Sequence, residues 1–306
     1  MSGLGAGALQ VAGIALAPLL PGTIQSVKAR LQGRRGASPL QPYRVLRRLW
    51  GKSAVDVEGS GIVYRTAPPL AAACILLALA LVPVAGDSGP WPVGNDALVL
   101  VGLLALARFS LAAAAWDTAN GFALMGSARE LMLAVFGEAL LVLVLLVAAL
   151  PAGSTDLVAM SDAAHASGIW SEPAHWCGAL AMAIVVVLET GRQPIDNPDT
   201  HLELTMIHEG PLLEYAGRDL ALLHWAAAAR HWIALVLAAE LFLPHWGGFA
   251  ERLLLLAGSV LLLCGALAAT ETVQAKMRIL RVPGLLAMGG LIALVGVGTW
   301  VAGGPA

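Results

Sequence analysis

Eight apolar runs, each close to the length a helix needs to cross a hydrocarbon layer, follow one another along this chain. They constrain the fold more than any other feature. About 20 apolar residues in helical form span a bilayer core. Lipid offers no partner to a bare N–H or C=O, so each run must close its own backbone hydrogen bonds. Spanning helices are predicted at residues 4–26, 66–86, 97–116, 131–150, 174–189, 220–243, 252–271 and 284–303. Breakers separate them: the segment 86–96 holds two prolines, 151–173 is polar and acidic, and 244–248 reads as a tight turn. With 58% hydrophobic and 12% charged residues and a mean hydropathy of +0.78, a soluble globular fold, in which about 25% of residues carry charge, is excluded. The expected architecture is all-α integral membrane: residues 1–306 form one polytopic unit, with a basic loop at 27–65 and an acidic loop at 189–219. Residues 1–20 lack a basic leading region and run into a long apolar stretch, which predicts a first span rather than a cleaved signal peptide.

Basic loops stay on the cytoplasmic side. Eight of the 18 lysines and arginines fall between Lys28 and Lys52. Arg65, Arg129, Arg192, Arg218, Lys276, Arg278 and Arg281 lie on the same predicted side, and Arg252 on the other. Both termini are therefore predicted outside and four connections inside. The formal charge of −2 gives no reason to expect nucleic acid. The three cysteines, Cys74, Cys177 and Cys264, stand singly in apolar runs, a pattern that supplies neither an iron–sulfur nor a structural zinc ligand set.

A charge at the centre of a membrane helix costs roughly 2.5–3.5 kcal/mol on insertion scales, so each one needs a partner, water or a task. Arg108 lies eight residues before Trp116, and Glu138 seven after Leu131. At a rise of 1.5 Å per residue both sit about 10–12 Å from the cytoplasmic ends of adjacent helices, so they can meet at one depth. Such a pair is either a static lock on helix register or a proton-relay carboxylate tuned by an arginine. The sixth span carries His224, Arg230, His231 and Glu240, which predicts a water-lined interior face.

The loop between Glu189 and Asp219 holds seven acids, Glu189, Asp196, Asp199, Glu203, Glu209, Glu214 and Asp219, against Arg192 and Arg218. It has enough apolar residues to pack. Asp199 or Thr200 is expected to cap a helix of about ten residues ending before Pro211. His201 and His208 share a face of it, but His208 and Glu209 are followed by Gly210, Pro211 and Leu212, which fails the HExxH pattern of a zinc site. The acids read as a docking surface for a soluble, locally basic partner or as the mouth of a proton path, in which neighbouring carboxylates raise one another's proton affinity. In the basic loop, Val45, Leu46, Leu49 and Trp50 alternate with arginines at helical spacing, as in a helix lying on a membrane surface and binding anionic lipid. That helix could also form the floor beneath a partner.

The segment LETGRQPIDNPDTHLELTMIHEGPLLEYAGRDLALL resembles the signature of the subunit 1 (NuoH-like) family of respiratory complex I. THLELTMIHE followed by LEYAGRDLAL is closer to the branch found in group 4 membrane-bound NiFe hydrogenases, of the formate hydrogenlyase kind, than to the complex I pattern ETxRxPFDxxExExEL…EYSG. GRRGASPLQPY is similar to the family's GRxGP…QP loop, and GFALMGSAREL to its small-residue loop before the fourth helix. The first-loop motif departs from the complex I form, with Ala37 and Ser38 where proline is expected and no ADxxK run after Pro42. The resemblance implies a membrane-anchoring and ion-coupling subunit. The family's loop carboxylates correspond to Glu189, Asp196, Glu203, Glu209, Glu214 and Asp219, with Arg192 and Arg129 as the associated basic positions and Glu138 as the fourth-helix carboxylate; on their own chemistry, Asp199 of the loop and Arg108, Arg230, His231 and Glu240 of the spans join them as candidate ion-handling residues. Arg34, Arg35, Gln41, Asp199, His201 and His208 would touch a partner. Implied partners are the small and large hydrogenase subunits, antiporter-like membrane subunits and the bilayer of the cell's inner membrane. No cofactor is expected in this chain; the 4Fe–4S clusters and NiFe centre belong to partners. The alternatives are a quinone-binding subunit 1 of complex I and a pure scaffold.

Overall fold

The computed structural model describes residues 2–87, 94–166, 168–196 and 207–303, with no strand among them. The apolar runs form α1 (Ser2–Leu16), α2 (Leu19–Leu31), α4 (Ile62–Leu81), α5 (Ala97–Asp117), α6 (Gly121–Ala152), α8 (Pro173–Glu189), α9 (Gly217–Phe242), α10 (Phe249–Val273) and α11 (Val282–Gly303); α3 (Gln41–Trp50) and α7 (Leu157–Ala164) lie between them. Six of these, α4, α5, α6, α9, α10 and α11, are long and apolar enough to cross a membrane. The α1–α2 pair makes a seventh if it is one broken span, and α8 is a shorter apolar helix.

The first predicted span is corrected. It is not one rod over 4–26 but two limbs bent by 51°. Pro18 has no N–H to give Ile14 and cannot continue the α1 ladder. The two carbonyls released at the break find partners elsewhere: Trp225 Nε1 donates to Ile14 O at 3.0 Å, and Tyr43 OH donates to Ala15 O at 2.5 Å. The fourth span is also corrected. GFALMGSAREL is not a loop but the first turns of α6, a helix of 32 residues. Asn120 starts it, its side-chain oxygen accepting from Phe122 N and Ala123 N, and the Ala, Leu, Met, Arg and Glu that follow are strong helix formers. The second span ends at Leu81, five residues early, in a turn that uses positive φ at Ala85 and Gly86.

The segment 151–173, read as a polar breaker, contains α7, capped by Asp156 accepting from Val158 N and Ala159 N. The expected surface helix is present as α3. Of the acidic-loop helix predicted from Asp199 or Thr200 to before Pro211, the part up to residue 206 lies outside the described residues; its last part is corrected, since 207–209 are bends and Gly210–Leu212 is a single 3-10 turn around Pro211.

Helix α9 is central: it packs against α2, α3, α4, α8 and α10, while α5 packs on α4 and α11 on α8 and α6. Alanine, leucine and valine dominate the buried side chains, as expected where close packing rather than water exclusion holds membrane helices together. Helix ends are tied across elements. Asp117, at the end of α5, accepts from Gly61 N and Tyr64 N at 2.9 Å each and so caps α4. The rings of Tyr64 and Tyr215 stack 4.6 Å apart. Tyr215 OH donates to Tyr64 O, and Tyr64 OH donates to Glu214 O, pinning the end of the acidic loop onto α4. Burial raises the Tyr215 hydroxyl far above its usual range, with Tyr64 and the Asp219 carboxylate adding to the effect, so it remains a donor.

Candidate functional site: a charged cavity beneath the acidic loop

A cavity of about 630 Å³ opens at the end of the bundle that carries the basic loop. Pro18 and Pro21 at the bend of the first segment, and Val45 and Leu46 on α3, make an apolar mouth with Gln41 and Arg48 at its rim. The inner wall is charged: Glu130 on α6, Glu189, Arg192 and Asp196 at and beyond the end of α8, His208 and Glu209 in the acidic loop, and His224, Arg230 and His231 on α9. Among the described residues no group of three or more His, Cys, Asp or Glu is arranged to hold a metal. The three cysteines are unpaired.

The charges fall into distinct paired clusters. Arg230 Nη1 lies 3.9 Å and His208 Nδ1 3.6 Å from Glu130 Oε1. Deeper in the bundle the Arg108 guanidinium bonds Glu189 with one nitrogen and approaches Glu138 at 3.5 Å with the other. Arg108 and Glu189 are buried, whereas the Glu138 side chain keeps 30% exposure. The sequence-level pairing of Arg108 with Glu138 at one depth is therefore present, and Glu189, read there only as a loop acid, is the third member. Across the cavity Arg192 donates to Glu271 at 3.0 Å, and Glu271 also pairs with Lys28 at 3.2 Å. Lys276 binds Asp196 at 3.1 Å, and Asp196 accepts from His208 N. Nε2 of His231 faces the Thr190 carbonyl at 2.6 Å. A carbonyl only accepts, so this nitrogen carries the proton.

Several expected members lie elsewhere. Glu240 faces the opposite end of α9, ten residues from Arg230 or about 15 Å along the axis, where its wholly buried carboxylate accepts from Ala85 N at 2.6 Å and Ser161 Oγ at 2.9 Å. The single water-lined face expected of His224, Arg230, His231 and Glu240 is thus two sites. Glu214 accepts from the Asn120 amide, and Asp219 sits in the first turn of α9, where the helix dipole favours an anion; neither lines the cavity. Arg129 is half-buried beside Glu130 on α6. Arg34 and Arg35 are exposed in the basic loop, Arg34 donating to the Gln32 side chain. Asp199, His201 and Glu203 lie outside the described residues.

Four charged groups of the site escape the sequence reading: Glu130, Glu271, Lys28 and Lys276. Starting the fourth span at residue 131 puts Glu130 in a loop. The available signal is its spacing of eight residues from Glu138, which puts both on nearly one face if the helix begins earlier.

The family model described as NADH dehydrogenase matches residues 6–299. Formate hydrogenlyase subunit 4 of Escherichia coli K12 is 34% identical over 233 residues, covering 76% of this chain and 75% of the relative. Hydrogenase-4 component C of the same organism is 37% identical over 240 residues, covering 78% and 74%. A subunit of the NADH-quinone oxidoreductase of Rhodopseudomonas palustris HaA2 is 27% identical over 243 residues, covering 75% and 74%. Among solved structures, a chain of the membrane-bound sulfane sulfur reductase, an archaeal respiratory membrane complex, shares the fold with a TM-score of 0.82 at 19% identity, over 95% of this chain and 97% of that one.

Proposed function

Given that the chain belongs to the NADH dehydrogenase family of subunit 1 (NuoH-like) proteins, we propose that it is the membrane-anchoring and ion-coupling subunit of an energy-converting, formate hydrogenlyase-like hydrogenase complex. The observation that carries the reading is a pair of neighbouring charge clusters, Glu130 with Arg230 and His208 on the cavity wall and Arg108 with Glu189 and partly exposed Glu138 beside it, close enough that Glu130 interacts electrostatically with Arg108 and Glu189 with Arg230. Buried ionic groups cost more than they return unless each is paired, and within each cluster the charges are paired. Electron transfer in a partner docked on the acidic loop changes the local charge, which biases protonation in the two clusters and passes ions toward neighbouring antiporter-like subunits.

The remaining parts follow from this reading. Residues 1–306 act as one polytopic unit of eight crossings in the inner membrane, both termini outside; the six long helices, the bent pair and α8 support that count, and the basic loops support the orientation. The hydrogenase small and large subunits, bearing the 4Fe–4S clusters and NiFe centre, sit over Arg34, Arg35, Gln41, Asp199, His201 and His208. The exposed arginines of α3 meet anionic lipid. Glu203, Asp199 and Glu209 stand at the loop end of the path, with Glu214, Asp219, Arg129, Arg192, Asp196 and His231 around it; Glu240 serves the far end.

Replacing Glu138 with Gln in the assembled complex tests the central claim. Hydrogen-linked proton or sodium transport is expected to fall while hydrogen turnover and assembly persist. Unchanged coupling leaves only a scaffold role. A second reading, the quinone-binding subunit 1 of a complex I-type dehydrogenase, is favoured by the apolar mouth and polar inner end of the cavity; loss of activity with a quinone-site inhibitor would select it.

A further inference from the structure

Packing on either side of Glu138 fixes where its carboxylate looks. Glu138 is the eighteenth of the 32 residues of α6, close to mid-span. Gly137 faces Leu188 of α8, and Leu140 lies against Gly289 of α11. A helix turns by about 100° per residue, so Glu138 points away from both neighbours. Val135 and Val142, three residues before it and four after, share its side of the helix; they are 69% and 37% exposed, and the Glu138 side chain keeps 30%. Glu138 is not among the residues that line the cavity. Its opening is therefore on the flank of the bundle, at the depth of the lipid tails.

The charge at this opening is not balanced from within. Arg108 takes Glu189 by its closer contact and reaches Glu138 only at 3.5 Å, and one guanidinium neutralises one carboxylate. The next cation, Arg230, stands on Glu130, as does His208 at the cavity wall. Hydrocarbon does not accept a bare carboxylate at mid-depth. We propose that this flank is a docking face for a membrane-spanning helix of a companion subunit, which brings a lysine or arginine to the depth of Glu138. The proposal rests on the reading of the chain as one subunit of a membrane complex.

Other occupants fit less well. Phosphate and other lipid headgroups lie at the membrane surfaces, outside the hydrocarbon. A second copy of this chain would have to offer its own mid-span cations, Arg108 and Arg230, and both are turned into their own bundle.

The test uses the assembled complex in its native membrane. A photoactivated p-benzoyl-phenylalanine is placed at Val135 and, in a separate preparation, at Val142, and the crosslinked peptides are identified by mass spectrometry. The expected product joins this chain to a spanning segment of a companion subunit with a lysine or arginine within one turn of the attachment point. Crosslinks to lipid alone, to a second copy of this chain, or to a segment without such a residue overturn the proposal. The charge is then tested from the partner's side. Exchange of the identified basic residue for Glu sets two like charges together, and retention of the companion through detergent purification is expected to fall about thirtyfold or more. Glu138→Gln in the same complex removes the repulsion and should restore most of it. No loss, or a loss that Glu138→Gln does not relieve, also overturns the proposal. Ion transport by the Glu138→Gln complex separates the two claims: lost coupling with crosslinks to lipid alone refutes the docking face only, whereas the expected crosslink with unchanged coupling keeps the face and refutes the ion-coupling reading.

Discussion

Gly126 on α6 and Gly210 in the acidic loop meet backbone to backbone, one helical turn before Glu130 and two residues after His208. A Cβ placed on Gly126 would lie 2.7 Å from Gly210 Cα and 3.1 Å from both the Gly210 carbonyl carbon and Pro211 Cδ. Ordinary carbon contacts begin near 3.5 Å, so Gly126→Ala forces the loop back by about 0.8 Å. The His208–Glu130 separation, 3.6 Å now, then opens past ion-pair range. Two effects oppose each other. Overpacking costs about 1–3 kcal/mol, while alanine in a helix interior returns about 0.5–1 kcal/mol over glycine. The net expectation is destabilisation by about 0–2.5 kcal/mol. Gly102 on α5 and Gly258 on α10 have nothing within 4 Å of their would-be Cβ and serve as controls, since alanine there keeps the helix gain without the clash. Thermal unfolding in detergent should therefore rank Gly126→Ala below the parent and both controls level with or above it. A Gly126→Ala variant as stable as the controls, with His208 still coupled to Glu130 in a double-mutant cycle, would refute the contact argument.

Arg108→Met removes the guanidinium shared by Glu189 and Glu138 and leaves a buried carboxylate unpaired, at a cost of about 3–5 kcal/mol; adding Glu189→Gln should restore at least half of the lost melting temperature, and a single variant within 1 kcal/mol of the parent would show the pair to be solvated. At the other end of the bundle Nε2 of His165 and Nδ1 of His245 lie 3.2 Å apart, the two rings meeting edge to face. Burial, then the neighbouring His165 and Arg252, lowers His245 to about 4, and burial also lowers His165. Both folded-state values lie below the unfolded value near 6.5, so the unfolded chain binds protons first: the stability contribution is complete above pH 6.5 and is lost as pH falls toward 4. His245→Gln should flatten the acid limb of a melting-temperature profile over that window; an unaltered slope would remove the histidine from the account.

Apolar run length made the spanning helices legible, because lipid enforces backbone closure wherever such a run occurs. Depth along a helix axis was legible too, which is why Arg108 and Glu138 could be paired from their distances to span ends. Rotation about the axis was not: that Glu189 rather than Glu138 takes the closer guanidinium nitrogen depends on how α5, α6 and α8 pack. Glu130 was hidden by a misplaced helix start, since apolarity marks the lipid-facing part of α6 but not the turns that continue it beneath the loop. Glu271 was hidden by a span end, where an acid looks solvated until Lys28 and Arg192 arrive from distant segments. The bend at Pro18 was visible as a proline but not as an angle, because the outcome depends on which groups take up the released carbonyls.

Those carbonyls give the bend a mechanical meaning. Trp225 belongs to the central helix and Tyr43 to the surface helix, and both grip the same half-turn of chain, at Ile14 and Ala15. The hinge point of the first segment is thus shared between the two elements that face each other across the cavity mouth. A tilt of α3, as when something settles on its arginines, cannot occur without loading the joint that α9 also holds, and α9 carries Arg230 at its other contact. The surface helix and the central helix are thus fastened to adjacent residues of one joint.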